Sequence, residues 1–311
     1  MGTTAREKVL KCIGVFPQKP TNLNIEVDSK PFVIKEQCNI FRVWYNVEDN
    51  ERVLAYLLKP RTVSTPTACI LALHQHGGEF DVGKSEPAGL GGAEINHYGP
   101  RLCELGFSVL CPDFLCFEDR RPSLEVRQRN GGRMEGQGYE YHEFFDRLLH
   151  GSTLQAKYLH DMSVALDVIE QLPGIDSSRI ATMGHSLGGQ EAIWITWYDS
   201  RIKAVVSSCG LGVIQEVVDN YIVHNKALYL PGFLSEVGDM DVILSEISDR
   251  HVFISNGSED ILFPVDGVKK LMANLKLQGQ NVECVLFNGG HQFGPEIQQQ
   301  AYDFLQRAFR T

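Results

Sequence analysis

The stretch Ile180-Ala181-Thr182-Met183-Gly184-His185-Ser186-Leu187-Gly188-Gly189 decides the fold. An apolar run of strand character passes directly into Gly-x-Ser-x-Gly, and a helix-compatible segment, Gln190-Glu191-Ala192-Ile193-Trp194, follows. Strand, sharp turn, helix is the context a nucleophile elbow needs. The turn holds Ser186 above the sheet edge on a strained backbone, and side chains at 184 or 188 would collide with neighbouring backbone. It also aims the Leu187 amide into the site, at a helix N-terminus whose dipole favours negative charge. Gly-x-Ser-x-Gly alone also arises by chance, so the flanking elements carry the assignment. A phosphate loop is the other glycine-rich reading. It fails because no Lys stands in the required place and GxGxxG is absent.

Working outward, the chain from Pro66 onward alternates strands with helices. Short apolar runs at 68–73, 107–111, 179–183, 204–207, 251–255 and 282–287 read as strands buried on both faces. Amphipathic helices are predicted at 154–172 and 298–309. The first 66 residues read as strands, with runs at 40–45 and 53–58 joined by the turn Glu48-Asp49-Asn50-Glu51. The expected architecture is α/β: one domain over 1–311, with a mostly parallel sheet, helices on both faces and an N-terminal antiparallel region. Two polar excursions, 113–151 and 210–249, leave the C-terminal ends of strands, where open α/β sheets bind ligands, and are expected to line the site. The arginines from Arg120 to Arg133 in the first read as a solvated face or an anion-binding group.

A serine hydroxyl needs a general base. In the Ser, acid, His order of this elbow, three histidines lie beyond Ser186. His251 opens a strand and His224 lies in the second excursion. His291 follows the last strand behind Gly289-Gly290 and is the expected base. The acid is expected in the loop after the preceding strand, Asn256-Gly257-Ser258-Glu259-Asp260. Asp260 is the choice, with Glu259 and Asp266 as rivals. Its role is to accept the far imidazole N–H and stabilise the imidazolium. Of the two oxyanion donors, one is the Leu187 amide. The other comes from the loop His74-Gln75-His76-Gly77-Gly78-Glu79, where Gly78 is expected and Glu79 is the rival. His74 and His76 lack a nearby carboxylate or cysteine cluster, so no metal site is expected, and His76 is expected to orient the loop.

Composition narrows the partners. The chain has 311 residues, 43% hydrophobic and 22% charged, which is ordinary for a globular protein and excludes disordered and fibrous classes. A net charge of −10 opposes binding to nucleic acid or anionic membranes. No apolar run reaches transmembrane length, the N-terminus lacks a signal-type core, and Arg6 spoils a myristoylation site after Met1-Gly2. Eight scattered cysteines with no CxxC suit a reduced, cytoplasmic protein, in which the sequon Asn256-Gly257-Ser258 stays idle.

These residues resemble a known family. Gly184-His185-Ser186-Leu187-Gly188-Gly189, the Gly257-Ser258-Glu259-Asp260 loop, Gly290-His291, His76-Gly77-Gly78 and Asp199-Ser200-Arg201-Ile202-Lys203-Ala204 are similar to serine α/β-hydrolases, in the dienelactone hydrolase-like branch with its carboxylesterases. The likeness runs from about residue 68 to the C-terminus. Dienelactone hydrolase itself is expected to carry cysteine where Ser186 stands, and many acetyl esterases of the branch carry Tyr where Gly78 stands. The resemblance implies a cofactor-free serine hydrolase acting on small or short-acyl carboxylic esters through an acyl-enzyme. A small-peptide or amide hydrolase and a non-catalytic small-ligand receptor are the alternatives. The oligomeric state is not legible.

Overall fold

Ten strands join one sheet among the residues described by this computed structural model, 3–62 and 66–309; the Met1-Gly2 start lies outside them. They are Glu26–Val27 (β1), Val33–Ile34 (β2), Cys38–Glu48 (β3), Glu51–Pro60 (β4), Thr67–Leu73 (β5), Ser108–Pro112 (β6), Ile175–His185 (β7), Ile202–Ser208 (β8), His251–Gly257 (β9) and Val282–Phe287 (β10). The order is β1-β3-β4-β6-β5-β7-β8-β9-β10, with β2 also on β3. β3 and β4 form the expected antiparallel hairpin, and β4 runs antiparallel to β6. From β6 to β10 every neighbouring pair is parallel. This is the α/β-hydrolase fold.

The pleat sorts the core. Along β5, Cys69, Leu71 and Leu73 enter one apolar cluster while Ala68, Ile70 and Ala72 enter the other, the period of two that a strand imposes. Helices Leu154–Ile169 and Leu187–Tyr198 cover the first face. Helices Tyr98–Glu104 and Pro295–Ala308 cover the second. The last helix starts three residues earlier than its apolar spacing predicts, because Pro295 at its first position presets a helical φ.

The N-terminal reading needs correction. Residues Ala5–Ile13 are a helix, capped by Thr4, whose side chain accepts from Glu7 N–H while Glu7 returns the bond to Thr4 N–H. The helix buries only Val9, Cys12 and Ile13, too narrow a stripe to stand out in sequence. Arg6 anchors it on the carbonyls of Trp197 and Tyr198, at the end of the helix that Ser186 begins.

Arg120 is not part of a solvated face. It is buried against Glu51 (2.6 Å) and Asp161 (2.7 Å), tying the first excursion to the sheet and to helix Leu154–Ile169. Arg127 and Arg129 pair within the excursion, with Glu135 and Glu125. Asn256 is fully buried in β9, its amide donating to Leu211 O, so the sequon is closed off inside the sheet. The eight cysteines are all free thiols. Among the described residues, no helix is long and apolar enough to cross a membrane.

Candidate active site

β7 ends at His185, and helix Leu187–Tyr198 begins two residues later. Ser186 bridges them at φ 55°, ψ −120°, a conformation few non-glycine residues adopt. Its N–H donates to Ser208 O at 2.9 Å, which ties the turn to β8. The turn closes only because its flanks lack side chains. A Cβ on Gly184 would stand 2.3 Å from the Gly188 carbonyl carbon, and one on Gly188 would stand 2.3 Å from Leu73 O.

Two loops from neighbouring strands reach this hydroxyl. His291, in the loop after β10, places Nε2 2.8 Å from Ser186 Oγ. Its Nδ1 lies 2.8 Å from Oδ2 of Asp260, in the loop after β9. The other carboxylate oxygen of Asp260 accepts the Leu262 N–H at 2.9 Å. Burial pushes the Asp260 carboxyl up, but the hydrogen bond and charge of His291 and the Leu262 amide outweigh it and hold the group below its usual range. Asp260 is therefore an anion beside the imidazole at neutral pH. His185 packs against the His291 ring at 4.9 Å, and burial first, then the neighbouring His291, lowers it to about 3, so a neutral ring lies there.

Among the described residues, none of the other candidates hydrogen-bonds to Ser186 or His291. Glu259 is exposed and its N–H donates to Gly289 O; Asp266 is 82% exposed, near Lys269. His251 packs on Phe304, and His224 packs edge-on against Phe263. Cys209 was unremarked in the sequence. It follows β8 at φ 46°, within ligand-atom reach of Asp260 and His291, and its thiol donates to Gln292 O.

The oxyanion side departs from expectation. Leu187 opens its helix, where the N–H has no intrahelical acceptor. Gly78, by contrast, donates its N–H to His76 Nδ1 at 3.1 Å, and the rival Glu79 donates to His76 O at 3.2 Å. Positive φ at Gly77 and Gly78 curls the loop back so that these two amides close on His76. No protein acceptor among the described residues takes the N–H of His76 or Gly77. His76 does organise the loop, but through Glu140, whose buried carboxylate accepts from Nε2 at 3.1 Å and so leaves Nδ1 bare. His74 donates from Nδ1 to Gln75 O and accepts at Nε2 from Phe114 N–H. Both ring nitrogens of each histidine are thus engaged by protein.

Ser186 and His291 open on a cavity of about 360 Å³. The loop 75–78 forms one wall, Gln137 and Glu140 from the first excursion another, and residues 223–226 from the second excursion a third. Sequence reasoning pointed to both excursions but, of the lining residues they contribute, singled out His224 alone, since nothing in the local pattern of the others marks them.

Residues 85–306 match the dienelactone hydrolase family. Over its length the chain is 27% identical to YtaP of Bacillus subtilis (strain 168), which carries a provisional description as a hydrolase; the match covers 99% of each. Among solved structures it resembles a glucuronoyl esterase from Solibacter usitatus at TM-score 0.71 and 16% identity, covering 98% of this chain and 92% of that one. It also resembles acetyl xylan esterase 1 from Thermoanaerobacterium sp. JW/SL YS485 at TM-score 0.64 and 16% identity, covering 96% of each. A third, the acetyl xylan esterase from Paenibacillus sp. R4, gives TM-score 0.66 at 16% identity, covering 94% of this chain and 97% of that one.

Proposed function

The chain belongs to the dienelactone hydrolase family, and from that premise we propose that it is a serine hydrolase of small carboxylic esters, with Ser186 as nucleophile, His291 as general base and Asp260 as its orienting acid. The observation that carries the reading is the pair of 2.8 Å contacts linking these groups at a strained strand-to-helix turn. Ser186 passes its proton to His291 Nε2 and attacks the ester carbonyl. The oxyanion is received by the Leu187 N–H and by the N–H groups of His76 and Gly77, with Gly78 joining only if it leaves the His76 ring. His291 then protonates the departing alcohol. In the second half it draws a proton from water, which attacks the acyl-enzyme and releases the acid. Asp260 keeps Nδ1–H in place throughout and offsets the imidazolium charge. Each step uses this chain's own groups. A cavity of about 360 Å³ suits short acyl or small alcohol parts. The eight free thiols favour a reducing, cytoplasmic setting.

The test is fluorophosphonate labelling with p-nitrophenyl acetate turnover, in wild type and Ser186→Ala. Labelling and hydrolysis should both vanish in the variant. An unlabelled wild type would leave a receptor, and faster cleavage of aminoacyl amides than of esters would make the protein an amidase. Either result overturns the esterase reading.

A further inference from the structure

Four Lys or Arg side chains are buried among the described residues, and three of them are neutralised by carboxylates. Lys84 meets Asp113, Glu118 and Asp119. Arg120 meets Glu51 and Asp161, and Lys157 meets Glu48, Glu51 and Asp161. That is the rule for buried cations, since an unpaired charge out of water is costly. Lys226 departs from it. It is 6% exposed, yet no carboxylate among the described residues comes within ion-pair distance. Its Nζ has one distant acceptor, His224 O at 3.3 Å, and lies 4.4 Å from the centre of the Tyr141 ring.

Lys226 lines the same cavity as Ser186 and His291. The carboxylate in that lining, Glu140, is engaged by His76 instead. The neighbours of Lys226 point the same way. Asn225 donates its amide to His224 Nδ1 (2.8 Å) and to Gln190 Oε1 (3.1 Å), which makes Nε2 of His224 the N–H donor. That Nε2 is buried with no hydrogen-bond partner among the described residues. The wall at 223–226 therefore carries an ammonium with no ion-pair partner, beside a buried donor with no acceptor, along the cavity that holds Ser186 and His291.

We propose that the esters taken by this site carry a carboxylate beside the scissile bond, and that Lys226 receives it. The inference rests on the esterase reading above and names its substrate class. Lys226 is a specificity-determining residue here, not a catalytic one. A bound carboxylate supplies the counter-charge that the other buried cations obtain from the protein.

The test compares two esters of nearly one shape: monomethyl succinate, an anion, and methyl succinamate, its neutral amide. Wild type should favour the anion in kcat/KM by about tenfold or more, the scale of a charge-assisted hydrogen bond. Lys226→Met should bring that ratio close to one, and Lys226→Arg should keep most of it. Melting curves check that the Met variant folds, and its Tm should hold or rise, because the change removes an unpaired buried charge. Calorimetric binding of monomethyl succinate to Ser186→Ala, with Lys226 intact or replaced by Met, reads the subsite without turnover, and the replacement should weaken binding about tenfold. No preference in wild type, or a ratio that survives in Lys226→Met, overturns the proposal while leaving the esterase reading standing. If neither ester is hydrolysed and no serine is labelled, the esterase reading fails by itself. The calorimetry then decides for or against the anion subsite.

Discussion

Replacing Asp260 by Asn separates an acid that orients and charges the base from one that merely fills space. The change keeps the shape, yet the site asks the side chain to accept twice: from Leu262 N–H on one oxygen and from His291 Nδ1–H on the other. An amide has a single oxygen. If that oxygen stays with Leu262, the NH2 group faces His291 and forces Nδ1 to become an acceptor. The ring proton then sits on Nε2, the atom that must take the proton of Ser186. The lost charge adds to this. The Asp260 side chain is fully buried. At an effective dielectric near 20 and a separation of about 4 Å, a carboxylate steadies an imidazolium by ~4 kcal/mol. That is about a thousandfold in rate, and the wrong tautomer takes the loss toward ten-thousandfold. Steady-state hydrolysis of p-nitrophenyl acetate should show the fall in kcat with KM little changed, because the ground-state complex does not need the imidazolium. Glu259→Gln, at an exposed neighbour, should stay within about twofold of wild type. An Asp260→Asn enzyme within tenfold of wild type, or a larger loss in Glu259→Gln, would refute the reasoning and move the acid.

Two further outcomes follow from the same geometry. Gly188→Ala should cost more than the usual ~1–3 kcal/mol of an overpacked site, since its Cβ would meet Leu73 O at 2.3 Å and His74 O at 2.8 Å, backbone atoms held by the central strand and its exit; a urea midpoint close to wild type would contradict this. Glu191 is fully buried one turn into the elbow helix, where burial raises its carboxyl to about 8 against the opposing bonds from Gln155 and Gln190. A folded-state value above the unfolded one means the native state keeps the proton longer, so this group's contribution to stability falls as pH rises from about 4.5 to about 8. Glu191→Gln has no such proton to lose. Its stability relative to wild type, measured by denaturant unfolding at pH 5.5 and 8.5, should rise with pH, and a difference that does not change between the two would count against the buried acid.

The amino-acid sequence by itself determined the elbow and the order of its partners. Gly184, Ser186 and Gly188 act through backbone sterics within a few residues, and such constraints are written in adjacent letters. His291 and Asp260 were legible because parallel strands all deliver their C-terminal loops to one edge, so chain order alone brings those loops together. What the tertiary structure decided involves partners far apart in the chain. Nothing in the sequence occupies the Gly78 amide; in the structure it donates to the ring of His76, which Glu140, 64 residues away, holds in place. Lys226 is an ordinary surface-type residue in the sequence. It becomes an unpaired buried cation only because the second excursion folds it onto the cavity with no carboxylate among the described residues at ion-pair distance. Local backbone geometry is set by covalent neighbours, whereas the burial and pairing of a charge depend on which distant side chains the packed excursions bring to it.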